Sequence, residues 1–295
     1  MIEHIKRVSQ IPHKNYKFSL LIPTWNNLSY LKLCISSIRK NSHYDLQIIV
    51  VVNEGTDGTT EWIEQQQNID YVLSKENIGI CYALNITRSM IKSDYVVYLN
   101  DDMYVLPGWD KELYREIKSA GTKSFMLSST MIEPVETGNP CVVVKNYGTS
   151  TEDFQEEKLL EAYRKLVRND WRGSTWPPNV IHIDLWDLIG GYSIEFSPGM
   201  YSDPDLSRKL YEVGVHHFKG VGKSLVYHFG TKSTGRVKQN KGRITFIRKW
   251  GISAKQFTTK YLHICEPFTD KPPEKPSFSF FERMVNLIKI LKSYF

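Results

Sequence analysis

The stretch YVVYLNDDMYVLPGW, residues 95–109, runs a row of strand-forming residues directly into Asn100, Asp101 and Asp102. Adjacent carboxylates repel each other. Beside a core they are costly unless a cation or a defined partner meets them. An Asp-rich turn after a strand produces the same pattern. The surrounding sequence has to separate a plain turn from a site.

Working outward, FSLLI (18–22) is a buried-strand pattern that ends at Pro23, and a helix follows with Leu31, Cys34, Ile35 and Ile38 on one face. LQIIVVV (46–52) is a β-branched strand that stops at the turn residues NEGTDGT, and IDYVL (69–73) is a weaker strand. A helix after Gly79 places Ile80, Ala83, Leu84, Thr87 and Ile91 on its face, and DYVVYL (94–99) closes the series. Continuous apolar strands alternating with helices predict an α/β fold with a mainly parallel, doubly wound sheet. Such sheets bind ligands beyond the carboxyl ends of their strands. PTWNN, NEGTDG and NDD all fall at those ends, which weighs against a plain turn.

The second half is less regular. CVVV (141–144) is a candidate strand ended by Lys145, EEKLLEAYRKLVRNDW (156–171) an exposed amphipathic helix, and RGSTWPPNV (172–180) a stiff loop. DLWDLIGGYS (184–193) reads as a short helix closed by a Gly pair, and DPDLSRKLYEVG (203–214) as a helix with Asp and Pro at its start and Gly at its end. KSLVYHF (223–229) is a further strand. CEPFTDKPPEKPS (265–277) is a Pro-rich spacer, and 278–295 is a final amphipathic stretch.

With 41% hydrophobic and 24% charged residues, the composition is that of a soluble globular chain. A net charge of +6 suits an anionic ligand or an anionic membrane surface. No basic run marks a nucleic-acid partner. Cys34, Cys81, Cys141 and Cys265 are scattered and form no CxxC pair, so they read as reduced thiols in a reducing compartment. MIEHIKRVSQIPHKN lacks the apolar core of a signal peptide, and no window has the ~18 apolar residues of a membrane span. The expectation is a cytoplasmic protein. Its tail sets Phe281, Met284, Val285, Ile288, Leu291 and Phe295 on one face with Arg283, Lys289 and Lys292 elsewhere. That pattern suits peripheral attachment to a membrane, and equally core packing or self-association.

Six segments then occur in order: FSLLIPTWNN (18–27), VVNEGTDGTTEW (51–62), ENIGICYALN (76–85), YLNDDMYVLPGW (98–109), GGYSIEF with MYSDPDLSRKL (190–210), and YHFGTKST (227–234). Together, over roughly 17–235, they resemble the family 2 glycosyltransferases of GT-A fold. The resemblance implies one domain over 1–264, with a nucleotide-binding half (17–119) and an acceptor-side half (120–264). It implies inverting transfer from a nucleotide-diphosphate sugar, with UDP the expected nucleotide, to a glycan or lipid-linked acceptor.

The resemblance also assigns residues. Asp102 would hold a divalent cation, Mg²⁺ or Mn²⁺, and Asp101 would approach the ribose. Asn100 stands where many members have a first Asp. Pro23, Thr24, Trp25 and Asn26 would lie along the base and ribose, although a Trp at position 25 is also read as a core aromatic, while Asn53 and Glu54 replace a base-reading Asp. Asn77 and Gly79 would pack near the diphosphate, and both residue types also favour a helix start. Asp203 matches the family's general base, with Ser202 in place of the usual Glu; Asp205 is the second candidate. A carboxylate at a helix N-terminus is expected to have a lowered pKa. An N-cap role explains Asp203 as well. His228 would complete the metal site or end its strand. Lys232, Arg236, Lys238, Lys241 and Arg243 would clamp the diphosphate from a lid, or be an ordinary solvated loop. Sugar nucleotidyltransferases need a Gly-rich phosphate loop after the first strand, and PTWNNLSYL has no glycine. A degenerate, non-catalytic scaffold is the remaining alternative, supported by Asn53, Asn100 and Ser202.

Overall fold

The computed structural model describes residues 4–10, 15–231, 240–271 and 273–294. Lys232, Arg236 and Lys238 of the expected lid, and Phe295 of the tail, lie outside the described residues.

The first half contains β1 (Ile5–Val8), β2 (Phe18–Trp25), α1 (Leu28–Asn41), β3 (Leu46–Asn53), α2 (Thr59–Glu64), β4 (Asp70–Ser74), α3 (Gly79–Asn85), β5 (Tyr95–Tyr98), β6 (Met103–Val105) and α4 (Trp109–Ala120). β2, β3, β4 and β5 pair in parallel, as the alternating pattern predicts. Successive side chains of a strand point to opposite faces, and both faces here are covered. Leu20, Ile22, Ile48, Val50 and Val52 pack with α1 and α4, while Leu21, Ile49 and Val51 pack with α3 on the other side. The helix after Gly79 is shorter than its pattern suggests. It ends at Asn85 and continues as a tight turn of helix over 88–90.

The second half continues the same sheet. It contributes β7 (Phe125–Glu133), β8 (Val143–Val144), α5 (Glu156–Ala162), β9 (Trp171–Arg172), β10 (Asn179–His182), α6 (Ile183–Ile189), α7 (Ser202–Glu212) and β11 (His217–His228). Among the described residues the order is β1-β4-β3-β2-β5-β10-β7-β11-β6, with β8 beside β7 and β9 beside β11. The two halves therefore share one continuous sheet. The link 99–102 leaves β5 and reappears as β6 beyond β11, carrying the acidic pair across one end of that sheet.

Three expectations need correction. The strand expected over 141–144 keeps only Val143 and Val144 in the ladder. The helix expected over 156–171 ends at Ala162, and Trp171 belongs to β9. Cys141 and Cys265, expected as reduced thiols, are joined in a disulfide with their Cα atoms 5.3 Å apart, whereas Cys34 and Cys81 stay free and buried. A separation of 124 residues hid that pairing. It is made when the chain after residue 260 returns to β9, where Trp171 bridges Pro267 and the Arg172 N–H donates to the Glu266 carbonyl. The cysteine argument for a reducing compartment falls with it.

The chain closes with α8 (Gly242–Trp250), α9 (Ala254–Lys260) and α10 (Phe280–Ser293). Lys241 caps the N-terminus of α8 and Arg243 lies in its first turn, so neither belongs to a free loop. α10 starts with a reciprocal Ser279–Glu282 capping box. Arg248 holds its far end at Ser293, and Lys260 pairs with Glu282. The side packed against α8 carries Asn286 and Ser293, while Phe280, Phe281, Met284, Leu287, Ile288 and Leu291 are exposed. Core packing of the apolar face is thereby overturned. Among the described residues no helix is long and apolar enough to cross a membrane.

Candidate active site

A cavity of about 640 Å³ opens at one end of the sheet. Pro23, Thr24 and Trp25 from the end of β2, and Asn53 from the end of β3, line one wall. Asn77, Gly79 and Ile80 continue it at the start of α3. Asn100, Asp101, Asp102 and Met103 form the floor between β5 and β6, and Asp203 and His228 face the same space. Strand-end clusters far apart in the chain thus converge, as a doubly wound sheet requires.

Asn53 is anchored rather than free. Its Oδ1 accepts the Ile78 N–H at 3.1 Å and its Nδ2 donates to the Thr24 carbonyl at 3.4 Å, tying three strand-end loops together. The buried Thr24 hydroxyl has no hydrogen-bond partner among the described residues. Asn77 accepts the Gly79 N–H at 2.9 Å, so the helix-start reading of Asn77 stands beside its place on the wall. Gly79 has φ +72°, and a Cβ there would come within 2.8 Å of the Pro198 Cα. Only glycine satisfies both constraints.

Asn26 and Glu54 do not line the cavity. Both have positive φ, which turns them off the strand ends. Glu54 Oε2 accepts from the Trp25 indole N–H at 2.8 Å and from Asn26 Nδ2 at 3.3 Å, and Asn26 Oδ1 accepts the Thr56 N–H at 2.8 Å. They brace Trp25 from behind.

At the acidic end, the strand register does the positioning. β11 runs parallel to β7 with Tyr227 beside Ile132, which sets His228 beside Glu133. On its other side β11 pairs antiparallel with β6, His228 opposite Met103, which brings Asp102 alongside. His228 Nε2 lies 3.4 Å from Asp102 Oδ1, and its Nδ1 lies 2.8 Å from Glu133 Oε1. Asp102 Oδ2 accepts both the backbone N–H and the hydroxyl of Thr231 at 2.8 Å. Burial opposes ionisation of Asp102, yet the His228 charge and these hydrogen bonds hold its pKa below the ordinary carboxylate value. Burial likewise opposes charge on His228, but Asp102 and Glu133 lift it to about 10.

Asp203 is the second residue of α7 and faces the cavity. Its pKa is pushed up to about 7 by burial, with the Tyr192 hydroxyl, 3.4 Å from Oδ1, acting weakly the other way. The expected lowering by the helix terminus is overturned, because desolvation among buried groups such as Tyr98 and Tyr192 outweighs it. Asp205 is fully buried and does not line the cavity. Two helical positions on from Asp203 it faces nearly the opposite way. Its Oδ1 accepts from the Trp250 indole N–H at 2.8 Å and pairs with Lys249 at 3.0 Å, locking α7 to α8.

Sequence reasoning missed Met131 and Glu133 at the end of β7, Asn139, and the Trp176–Pro177 corner, all of which line the cavity. β7 carries Ser128, Ser129 and Thr130 mid-strand, and these disguise it. All three are buried and bonded, Ser128 to Ser174 and the Trp176 carbonyl, Ser129 to Ser224, Thr130 to the Val221 carbonyl.

Among the described residues no group of three or more His, Cys, Asp or Glu side chains forms a ready-made metal cage. The donor chemistry nevertheless fits a shared cation. Asp102 offers a hard oxygen and His228 a nitrogen that borderline cations accept, leaving positions for phosphate oxygens. No Lys or Arg is among the described lining residues, while Asp101, Asp102, Glu133 and Asp203 all are.

The sequence profile of glycosyl transferase family 2 matches residues 19–171, which span β2 to β9. The chain belongs to glycosyl transferase family 2. Its glycosyltransferase domain carries the acidic floor and the wall built by β2, β3 and the start of α3 inside the matched stretch, and Asp203 and His228 beyond it. The chain is similar to the hyaluronan synthase of Pasteurella multocida, with 26% identity over 259 residues. That alignment takes in 85% of this chain but 22% of the synthase, so the chain spans about a fifth of that relative's length. Two solved structures share the fold. Residues 1–349 of S. aureus TarS in complex with UDP-GlcNAc align with a TM-score of 0.57 and 13% identity, over 95% of this chain and 72% of that one. GalNAc-T7 with UDP, GalNAc and Mn²⁺ aligns with a TM-score of 0.58 and 15% identity, over 85% and 51%. The GT-A architecture expected from the sequence is the one observed.

Proposed function

We propose that this family 2 domain transfers a sugar, with inversion, from a UDP-sugar to a hydroxyl of a glycan or lipid-linked acceptor. The observation that carries the reading is the placement of Asp203, with its pKa near 7, on the same cavity as the Asp102–His228 pair. UDP is favoured because the two structures of the same fold were solved with UDP-GlcNAc or with UDP and GalNAc.

The nucleotide would lie along the wall from Trp25 to Gly79, its base against the indole that Glu54 braces. Asp102 and His228 would hold a divalent cation, Mn²⁺ or Mg²⁺, which when bound supplies Lewis acidity to the departing diphosphate. Asp203 would accept the proton of the attacking hydroxyl. A base with a pKa near the working pH is both available and strong enough for that transfer. Trp176, Met131 and Asn139 also line the cavity and would contact the reacting sugars. The exposed apolar face of α10, with Arg283, Lys289 and Lys292 on the same helix, would rest on an anionic membrane surface that presents a lipid-linked acceptor.

The test is a panel of nucleotide sugars offered with glycan acceptors, with Mn²⁺ or with chelator, reading free nucleotide. Release of UDP that needs Mn²⁺ and is accelerated by an acceptor supports the reading. No release from any nucleotide sugar, with or without Mn²⁺, would favour a non-catalytic scaffold.

A further inference from the structure

We infer that Glu133 is a positioning residue for the cation site: it fixes the ring of His228 so that Nε2 is presented beside Asp102. The inference rests on the proposed cation role of Asp102 and His228.

The two nitrogens of the imidazole are divided between two carboxylates. Glu133 Oε1 lies 2.8 Å from Nδ1, and Asp102 Oδ1 lies 3.4 Å from Nε2. A carboxylate only accepts hydrogen bonds, so Nδ1 carries the hydrogen in the Glu133 contact. With Nδ1 held as the donor to Glu133, Nε2 is the nitrogen turned to Asp102, and it is the one that would release its proton to solvent and offer its lone pair when a cation takes that place. Metal-bound imidazoles commonly give their other N–H to a carboxylate in this manner, and the partner sets tautomer and ring angle.

Glu133 is itself held in place. It is 7% exposed at the end of β7, and its Oε2 accepts the Thr137 hydroxyl at 2.9 Å. Its backbone carbonyl accepts the Lys145 N–H at 2.9 Å. The parallel register of β7 and β11 then fixes the distance between Glu133 and His228 through the backbone. Glu133 reaches the nitrogen on the far side of the ring from Asp102, so it acts through His228.

Position and charge can be separated with two variants. Glu133→Gln keeps the length and an accepting oxygen but removes the charge. Glu133→Asp keeps the charge but withdraws the carboxylate by one methylene. Mn²⁺ affinity would be measured by calorimetry on the full chain with UDP present, alongside pulsed electron paramagnetic resonance of the bound Mn²⁺ for ¹⁴N coupling from His228. The expected result is that Glu133→Gln stays within about threefold of the parent. Glu133→Asp should lose about 10–100-fold in Mn²⁺ affinity, with weakened ¹⁴N coupling. Melting temperatures identify any variant that has merely unfolded. Parental affinity and coupling in Glu133→Asp would overturn the positioning role while leaving the cation reading intact. A large loss in Glu133→Gln would also overturn it, because charge and not position would then be what matters. A parent that binds no Mn²⁺ in the presence of UDP would overturn the cation reading first, and this inference with it.

Discussion

Thr231 donates both its backbone N–H and its hydroxyl to one oxygen of Asp102, at 2.8 Å each. That leaves the other oxygen, Oδ1, as the one turned toward His228. The acidic pair that opened the sequence reading is therefore no simple turn. One of its members is buried, ionised and held by a residue 129 positions away.

Replacing Asp203 with Asn should lower turnover by about 10²–10⁴-fold while donor KM changes little. In the parent, kcat/KM should fall as pH drops through about 7, since the base must be ionised. Stability moves the other way. A folded-state pKa raised above the ordinary 3.8 means the group favours folding while it is protonated. That contribution is complete below pH ~4 and is lost as pH rises through about 7. Asp203→Asn should thus melt higher than the parent at pH 8, with the difference shrinking toward pH 4. Normal turnover in this variant would move the base elsewhere.

Gly79→Ala should destabilise the fold by ~1–3 kcal/mol, because it forces a side chain into positive φ against Pro198. Urea melts would show the loss. UDP affinity should fall too, since the α3 start and the 197–199 turn meet through the Ile80 N–H and the Pro198 carbonyl. A variant with parental stability and affinity would contradict the close approach.

Much of this was legible in the sequence, and the reasons it stopped are physical. β2 to β5 announced themselves because both faces of a parallel sheet are buried and the strands read as apolar runs. β7 did not, since Ser128, Ser129 and Thr130 interrupt it and are satisfied only by partners distant in the chain. Glu133 was hidden with its strand. Asp203 was found by motif, but its titration was misjudged, because a local rule about helix ends cannot see the burial that tertiary packing imposes. Asp205 resembled Asp203 in sequence and differs only in helical phase.

Trp176→Ala should leave UDP affinity unchanged and raise the KM for donor sugar or acceptor. Loss of an aromatic face costs ~0.5–1.5 kcal/mol, a few-fold to about tenfold. Steady-state kinetics with varied donor and acceptor would assign the contact. An unchanged KM for both would remove Trp176 from the sugar-binding wall.

Phe281→Ser combined with Leu291→Ser should leave the melting temperature within a degree or so, since both side chains are more than half exposed. Co-sedimentation with anionic vesicles should fall by well over tenfold, because each buried Phe or Leu contributes ~1.5–3 kcal/mol. Unchanged sedimentation would sink the membrane reading of α10 and favour self-association through that face.

The proposed transfer depends on Asp102 and His228 holding the donor's diphosphate through a divalent cation. That dependence is tested most directly by calorimetric titration of UDP into the parent and into Asp102→Asn, each with Mn²⁺ and with chelator. Tight binding is expected only for the parent with Mn²⁺, with Asp102→Asn folded yet indifferent to the metal. UDP binding of equal strength in both proteins with Mn²⁺, or binding by the parent that chelator does not weaken, would contradict it.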